Sequence, residues 1–334
     1  MFSLKSITRP IQITLAVAFL FFFILAAPMK TSQAQKTDSQ NPGQSVLAAK
    51  VESSSSISFT DEQSALIQGS TVQAVAKAPA NNKSQQIRNA DDWESWPILP
   101  ELTKTAQRIY QQGQLAARNP HAFSKIGDGE ISAEWFLTEY DLGPDYYDLG
   151  DHLELQSTIT YFAGSFSRQG QAARRGFNTQ SVLDPERADP AFCQNGETPL
   201  DCEIRLHNPA FALISMGTNQ VWQSELFESG LRQIIEELLP QNVVPILSTK
   251  ADNLEGDYRI NGIITRLAVE YDLPVWNFWR AVQPLPSHGL QEDLEHLTYY
   301  PNSFSYPEAM QYAWPVRNLS ALLLLEVLQK SALP

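Results

Sequence analysis

The sequence predicts a three-layer α/β/α domain built on a parallel sheet. Two observations carry this expectation. From residue 93 onward, short apolar runs alternate with amphipathic helical stretches, the rhythm of strand–helix–strand units. Two of those runs end in glycine turns, Gly127-Asp128-Gly129 and Gly217-Thr218-Asn219, at the carboxyl ends of strands, where open parallel sheets bind their ligands.

The elements follow in order. Leu102, Ala106, Ile109 and Tyr110 repeat at helical spacing and mark one face of a first helix, which ends before Asn119-Pro120. An apolar run over 122–126 reads as the first strand and delivers the Gly-Asp-Gly turn. A second strand over 210–216 delivers Gly-Thr-Asn, and the helix after it turns Leu226, Ile234, Ile235 and Leu238 to the core. A strand over 243–247, a helix over 258–271, a strand over 274–278 and a last helix over 315–328 complete the domain.

Residues 1–34 have the layout of an export signal: Lys5 and Arg9, then an apolar run over 11–27, then Ser32 and Ala34 at the spacing a signal peptidase accepts. The run approaches the roughly 20 residues that span a bilayer, so a retained membrane anchor stays open beside a cleaved signal. Residues 35–92 are rich in Ser, Gln, Ala and Asn, with no sustained period, and read as a disordered tether. The remaining residues, 93–334, suffice for one α/β domain, expected to act as a monomer.

The chain carries a net charge of −13, and removing residues 1–34 takes away Lys5, Arg9 and Lys30 and no acid, giving −16. An acidic exported protein is a poor partner for nucleic acid or anionic membrane. Cys193 and Cys202 are the two cysteines; eight intervening residues suit neither a redox nor a zinc Cys-x-x-Cys motif, and in an oxidising compartment they are expected to form a disulfide. No His-Glu-x-x-His cluster or cofactor motif is present, so neither metal nor cofactor is expected.

Three blocks carry the chemistry: Lys125-Ile126-Gly127-Asp128-Gly129-Glu130, Gly217-Thr218-Asn219-Gln220 and Asp293-Leu294-Glu295-His296-Leu297-Thr298. In this order they resemble the sequence blocks of the SGNH (GDSL-type) hydrolase superfamily. The segments 197–206, 249–256 and 276–280 extend the resemblance to an exported bacterial subgroup over most of residues 120–330. The resemblance implies a flavodoxin-like three-layer fold and ester hydrolysis on an acylated glycan or lipid. It also implies roles. His296 would be the base and Asp293 the group that fixes its tautomer. The amide of Asn219 and the backbone N–H groups of Gly129 and Gly176 would hold the oxyanion.

The departure is at residue 129, where the family has its nucleophilic serine and this chain has glycine. Three readings stay open. Ser132 substitutes as nucleophile; or His296 activates water directly, with Asp128 or Glu130 nearby; or the protein is a non-catalytic carbohydrate-binding or scaffold protein that kept the cleft. Trp135, Tyr146, Tyr147, Trp222, Tyr299 and Tyr300 are candidates to line a sugar cleft, with packing as their ordinary alternative.

Overall fold

The computed structural model describes residues 88–332; the leader over 1–34 and the tether up to residue 87 lie outside the described residues. Among the described residues, no helix is long and apolar enough to cross a membrane.

Helix α1 (Lys104–Leu115) starts where Thr103 accepts the Ala106 N–H at 3.1 Å, and it buries Ala106, Ile109 and Tyr110 as their spacing predicts. Strand β1 (Asn119–Gly127) then runs into the core and is followed by the single turn of α2 (Gly129–Ser132). Two short helices, α3 (Gln156–Tyr161) and α4 (Thr179–Leu183), precede α5 (Pro199–His207), which feeds β2 (Pro209–Ser215). Next come α6 (Ser224–Leu238), β3 (Val244–Ser248), α7 (Arg259–Glu270), β4 (Val275–Trp276), α8 (Phe278–Val282) and α9 (Ala313–Ala332).

The four strands pair in the order β1-β2-β3-β4, all parallel. On the other edge of β1, the Gly127 N–H donates to Ala172 O at 3.0 Å and the Arg174 N–H donates to Gly127 O at 3.1 Å, a one-residue parallel bridge. The chain leaving β1 therefore visits one of its edges at 172–174 and returns on the other as β2. That reversal makes the carboxyl end of β1 the switch point of the sheet, where a crevice opens.

Register assigns the faces. Phe123 pairs with Phe211 and Ser248 with Trp276, and this face carries α1, α3 and α9. Tyr110 stacks on Phe211, the Phe162 ring at the end of α3 meets Phe123 edge-on, and Trp276 Nε1–H donates to Ser320. Ser124, on the opposite face, donates to Glu203 of α5 at 2.6 Å, and α6 and α7 cover the rest of that side. Helices on both faces of a parallel sheet make the three layers expected from sequence.

Two local expectations change. The strand expected over 274–278 stops at Trp276, because the Asn277 side chain caps α8 by accepting the Arg280 N–H while its Nδ2 donates to the Trp93 and Trp96 carbonyls. Leu226 is 50% exposed, and Phe227 and Leu231 take the core positions beside Ile234, Ile235 and Leu238. Helix α9 starts at Ala313 and is buried on every side through residues 313–325, which fits its almost uninterrupted apolar sequence. Cys193 and Cys202 form a disulfide with a Cα–Cα distance of 5.2 Å, stapling the loop before α5 to that helix.

Candidate functional site

The site begins with a steric requirement at the end of β1. Gly127 has φ +146°, and a Cβ there would stand 1.9 Å from the Ser215 carbonyl oxygen on β2, so only glycine lets the strands approach this closely. Asp128 follows and is buried. One carboxylate oxygen accepts the Glu130 N–H at 3.3 Å, which caps α2, and the other accepts the Gly217 N–H at 3.2 Å. Gly217 has φ +138° and a Cβ there would lie 2.6 Å from Ile260. Asp128 thus ties the first block to the second through a backbone that both glycines permit.

Gly129 is different. It is the first residue of α2, its φ is ordinary, and a Cβ there would meet nothing closer than Arg175 Cγ at 3.8 Å. No steric reason demands glycine at 129. Ser132, the nearest hydroxyl along the chain, is directed at its own turn, with Oγ 3.4 Å from the Gly129 carbonyl oxygen.

The loop carrying Gly176 lies against this turn through the 172–174 bridge described above. Gly176 is exposed, with φ +81°, and its N–H makes no hydrogen bond among the described residues. Asn219 is exposed too, and its amide Nδ2 donates to the Phe177 carbonyl at 2.8 Å. Gln220 is buried; its Oε1 accepts both the Thr179 N–H and the Thr179 hydroxyl, at 2.9 and 3.0 Å. The three segments 127–130, 172–178 and 217–220 therefore meet in one place.

Beneath the turn lies a buried charge network that the motifs did not announce. Arg317 of α9 is fully buried between the rings of Phe136, Trp276 and Phe278, with its guanidinium carbon 4.9, 4.9 and 4.5 Å from their centroids. Its NH2 donates to Ser215, its NH1 lies 3.7 Å from Glu130 Oε2, and NH1 and Nε have no hydrogen-bond partner among the described residues. Thr218 donates to Asp252 at 2.7 Å, and Lys250 Nζ binds Asp252 and Glu255 at 2.6 and 2.7 Å. Loss of hydration on burial pushes the Asp128 carboxyl up to about 6, against the Glu130 N–H and the Arg317 charge, and the Glu130 carboxyl up to about 7. The sequence signal for Lys250 and its acids was a charged run directly after β3; for Arg317 it was one cation inside an apolar helix.

The third block stands on its own loop, closed by the Leu290–Leu297 bridge and by the Gln291 N–H on the His296 carbonyl at 2.8 Å. Asp293 accepts the backbone N–H groups of His296 and Glu295, both at 3.0 Å, and His296 Nδ1 at 2.8 Å. These bonds, the two backbone N–H groups foremost, hold its carboxyl down at about 2. A carboxylate only accepts, so Nδ1 carries the proton and Nε2 presents a lone pair when the ring is neutral. The His296 side chain is 57% exposed. Among the described residues its ring bonds Asp293 and makes no hydrogen bond to Gly129 or Asn219. The link is indirect: Trp135, just beyond α2, meets Tyr299, just beyond His296, edge-on at 5.8 Å, and meets Trp314 at 5.7 Å.

No protein-family model matches the chain, and no curated protein matches it. Among solved structures it is similar to a GDSL-like lipase from Bacteroides thetaiotaomicron, at 15% identity over 66% of this chain and 96% of that one, with a TM-score of 0.36. A likeness of that size carries no argument, and the site is judged on its own geometry.

That geometry offers an oriented imidazole with a free acceptor nitrogen on one loop. At the end of β1 it offers open space at Gly129, with the Gly129 N–H one of the donors a helix leaves unpaired in its first turn. The placement of Trp135 and Tyr299 as half-exposed rings puts two of the aromatic candidates at this border. Tyr146 and Trp222 are exposed elsewhere, with no ring pairing to these two.

Proposed function

We propose that this protein is an exported ester hydrolase of SGNH (GDSL) type, acting on an acylated glycan or lipid, in which His296 works on water because residue 129 supplies no hydroxyl. The observation that carries the reading is the Asp293–His296 pair. A carboxylate held by two backbone N–H groups fixes the imidazole in the tautomer a general base needs. In the proposed reaction Nε2 takes a proton from water over Gly129, and the water oxygen bonds to the acyl carbon. The N–H groups of Gly129 and Gly176, with the remaining amide hydrogen of Asn219, receive the oxyanion. The ester C–O bond then breaks and the imidazolium returns the proton to the leaving alkoxide. The disulfide supports an oxidising, extracellular setting.

A binding-module reading is favoured by one observation: the Asn219 amide is already engaged by the Phe177 carbonyl. Hydrolysis of an aryl acetate separates the readings. We expect slow turnover, within the roughly 10³ to 10⁴-fold over water that serine hydrolases keep after losing a triad member. It should be abolished by His296→Ala and retained by Ser132→Ala. Loss in Ser132→Ala would move the nucleophile to that hydroxyl. A silent wild type together with a folded, silent Gly129→Ser would leave the binding module.

A further inference from the structure

The side chain nearest to the open position at Gly129 is a cation. Arg175 Cγ lies 3.8 Å from where a Cβ would stand, and apart from the chain neighbours and the backbone of its own helical turn no other atom comes within 4 Å. Arg174 and Arg175 are both exposed, and among the described residues neither guanidinium bonds an acid or any other polar group; Arg174 lies over the Phe177 ring at 5.0 Å. Arg187, Arg205, Arg232, Arg259 and Arg266 each stand against a carboxylate, and Arg108, Arg118 and Arg280 bond amide or carbonyl oxygens instead. In a chain of net charge −13 acidic partners are plentiful, yet this adjacent pair beside Gly129 has neither an acid nor another polar partner among the described residues.

The segment that carries them is held from three sides. The Arg174 N–H is bound to Gly127 O, the Phe177 N–H to Arg174 O at 3.0 Å, and the Phe177 carbonyl to Asn219. The acids of the turn are directed elsewhere, since both Asp128 oxygens accept backbone N–H groups and Glu130 stands beside Arg317.

We propose that Arg175, with Arg174 beside it, grips an anionic group, a carboxylate or a phosphate, that the ligand carries next to its ester bond. A guanidinium presents a planar fork of donors that matches the oxygens of either group. The proposal takes the location of the ester from the function proposed above, but the charge preference is read by binding and does not require turnover.

The test uses three para-substituted phenols, 4-hydroxybenzoate, 4-hydroxyphenyl phosphate and the uncharged 4-hydroxybenzamide, titrated calorimetrically into the protein, together with hydrolysis of the corresponding acetates. We expect a charged probe to bind about tenfold more tightly than the amide, as suits a charge-assisted forked contact. That preference should shrink between about 50 mM and about 500 mM salt. The double variant Arg174→Gln/Arg175→Gln should bring the ratio close to one, whereas Arg175→Lys, which keeps the charge and loses the fork, should retain part of it. Preference for the phosphate points to a phosphorylated ligand and preference for the carboxylate to an acidic sugar. Equal binding of all three probes, or a preference that survives the double variant, would overturn the proposal. A charge preference without any ester turnover would sink the hydrolase reading and leave this one standing; turnover without charge preference would do the reverse.

Discussion

Two glycines separated by one residue have opposite reasons to be glycine. Gly127 is required by packing, because its φ of +146° and the Ser215 carbonyl leave no room for a Cβ. Gly129 has an ordinary helical backbone and open space. Alanine scanning by urea denaturation should therefore split them: Gly127→Ala is expected to cost more than about 3 kcal/mol, combining overpacking and backbone strain. Gly129→Ala should be neutral or stabilise by up to about 1 kcal/mol through the unfolded chain. Equal effects would refute the assignment of strain to Gly127. The same contrast makes Gly129→Ser a clean experiment on chemistry, since the added hydroxyl needs no rearrangement, and aryl acetate turnover in that variant should rise and then vanish with His296→Ala.

Between elements, Glu203 of α5 is a buried polar tie. It is fully buried and accepts the Ser124 hydroxyl of β1 at 2.6 Å and the Gln171 N–H at 2.7 Å, with Arg168 as its ion-pair partner. It thereby joins a strand, a helix and the segment leading to the 172–174 bridge. Glu203→Ala leaves a half-buried guanidinium and a backbone N–H without their partner, and a loss of about 3 to 5 kcal/mol is expected from broken buried pairs of this kind. A loss below about 1 kcal/mol in urea titrations would show that water replaces the carboxylate. The disulfide acts on the same helix, at the residue just before Glu203. Its loop is short, so Cys193→Ser/Cys202→Ser should cost about 2 to 3 kcal/mol by the chain-entropy relation, measured against the oxidised parent.

For the whole molecule the buried Asp128 carboxyl and the partly buried Glu130 carboxyl set a pH dependence. Asp128 and Glu130 have folded-state values raised to about 6 and about 7, first by loss of hydration, above the ordinary 3.8 and 4.5. A raised acid holds its proton more tightly when folded, so the contribution of these groups is full below the unfolded values and falls as pH rises through the folded ones. Melting temperature should accordingly decline between about pH 4 and about pH 7.5, and Glu130→Gln, which cannot ionise, should flatten the decline. A melting temperature that rises over this window in the wild type, with Glu130→Gln unchanged, would mean that Arg317 keeps Glu130 ionised throughout.

Much of this could be read from the chain because the signals are local. Apolar periodicity located α1, α6, α7 and α9 within a few residues, and runs of β-branched and aliphatic residues located the strands, since each pattern records which face of its own element is buried. Where a side chain ended an element the reading slipped: Phe278 looked like strand until Asn277 was seen to cap a helix with carbonyls from Trp93 and Trp96 as its other partners. The motifs marked which turns matter, and their resemblance to a family named roles for His296, Asp293 and Asn219. Only tertiary structure decided that Gln220 clamps Thr179, that Arg317 sits among three aromatic rings under Glu130, and that Arg175 stands over Gly129 without an acid. Each of those depends on partners 40 or more residues away in the chain, and a burial or a charge pairing across such distances leaves no period in the sequence. What sequence by itself determined here was the layered sheet and the glycine turns at its strand ends; which atoms those turns leave free was decided by packing, because hydrogen-bond capacity is consumed by whatever neighbour the fold brings near.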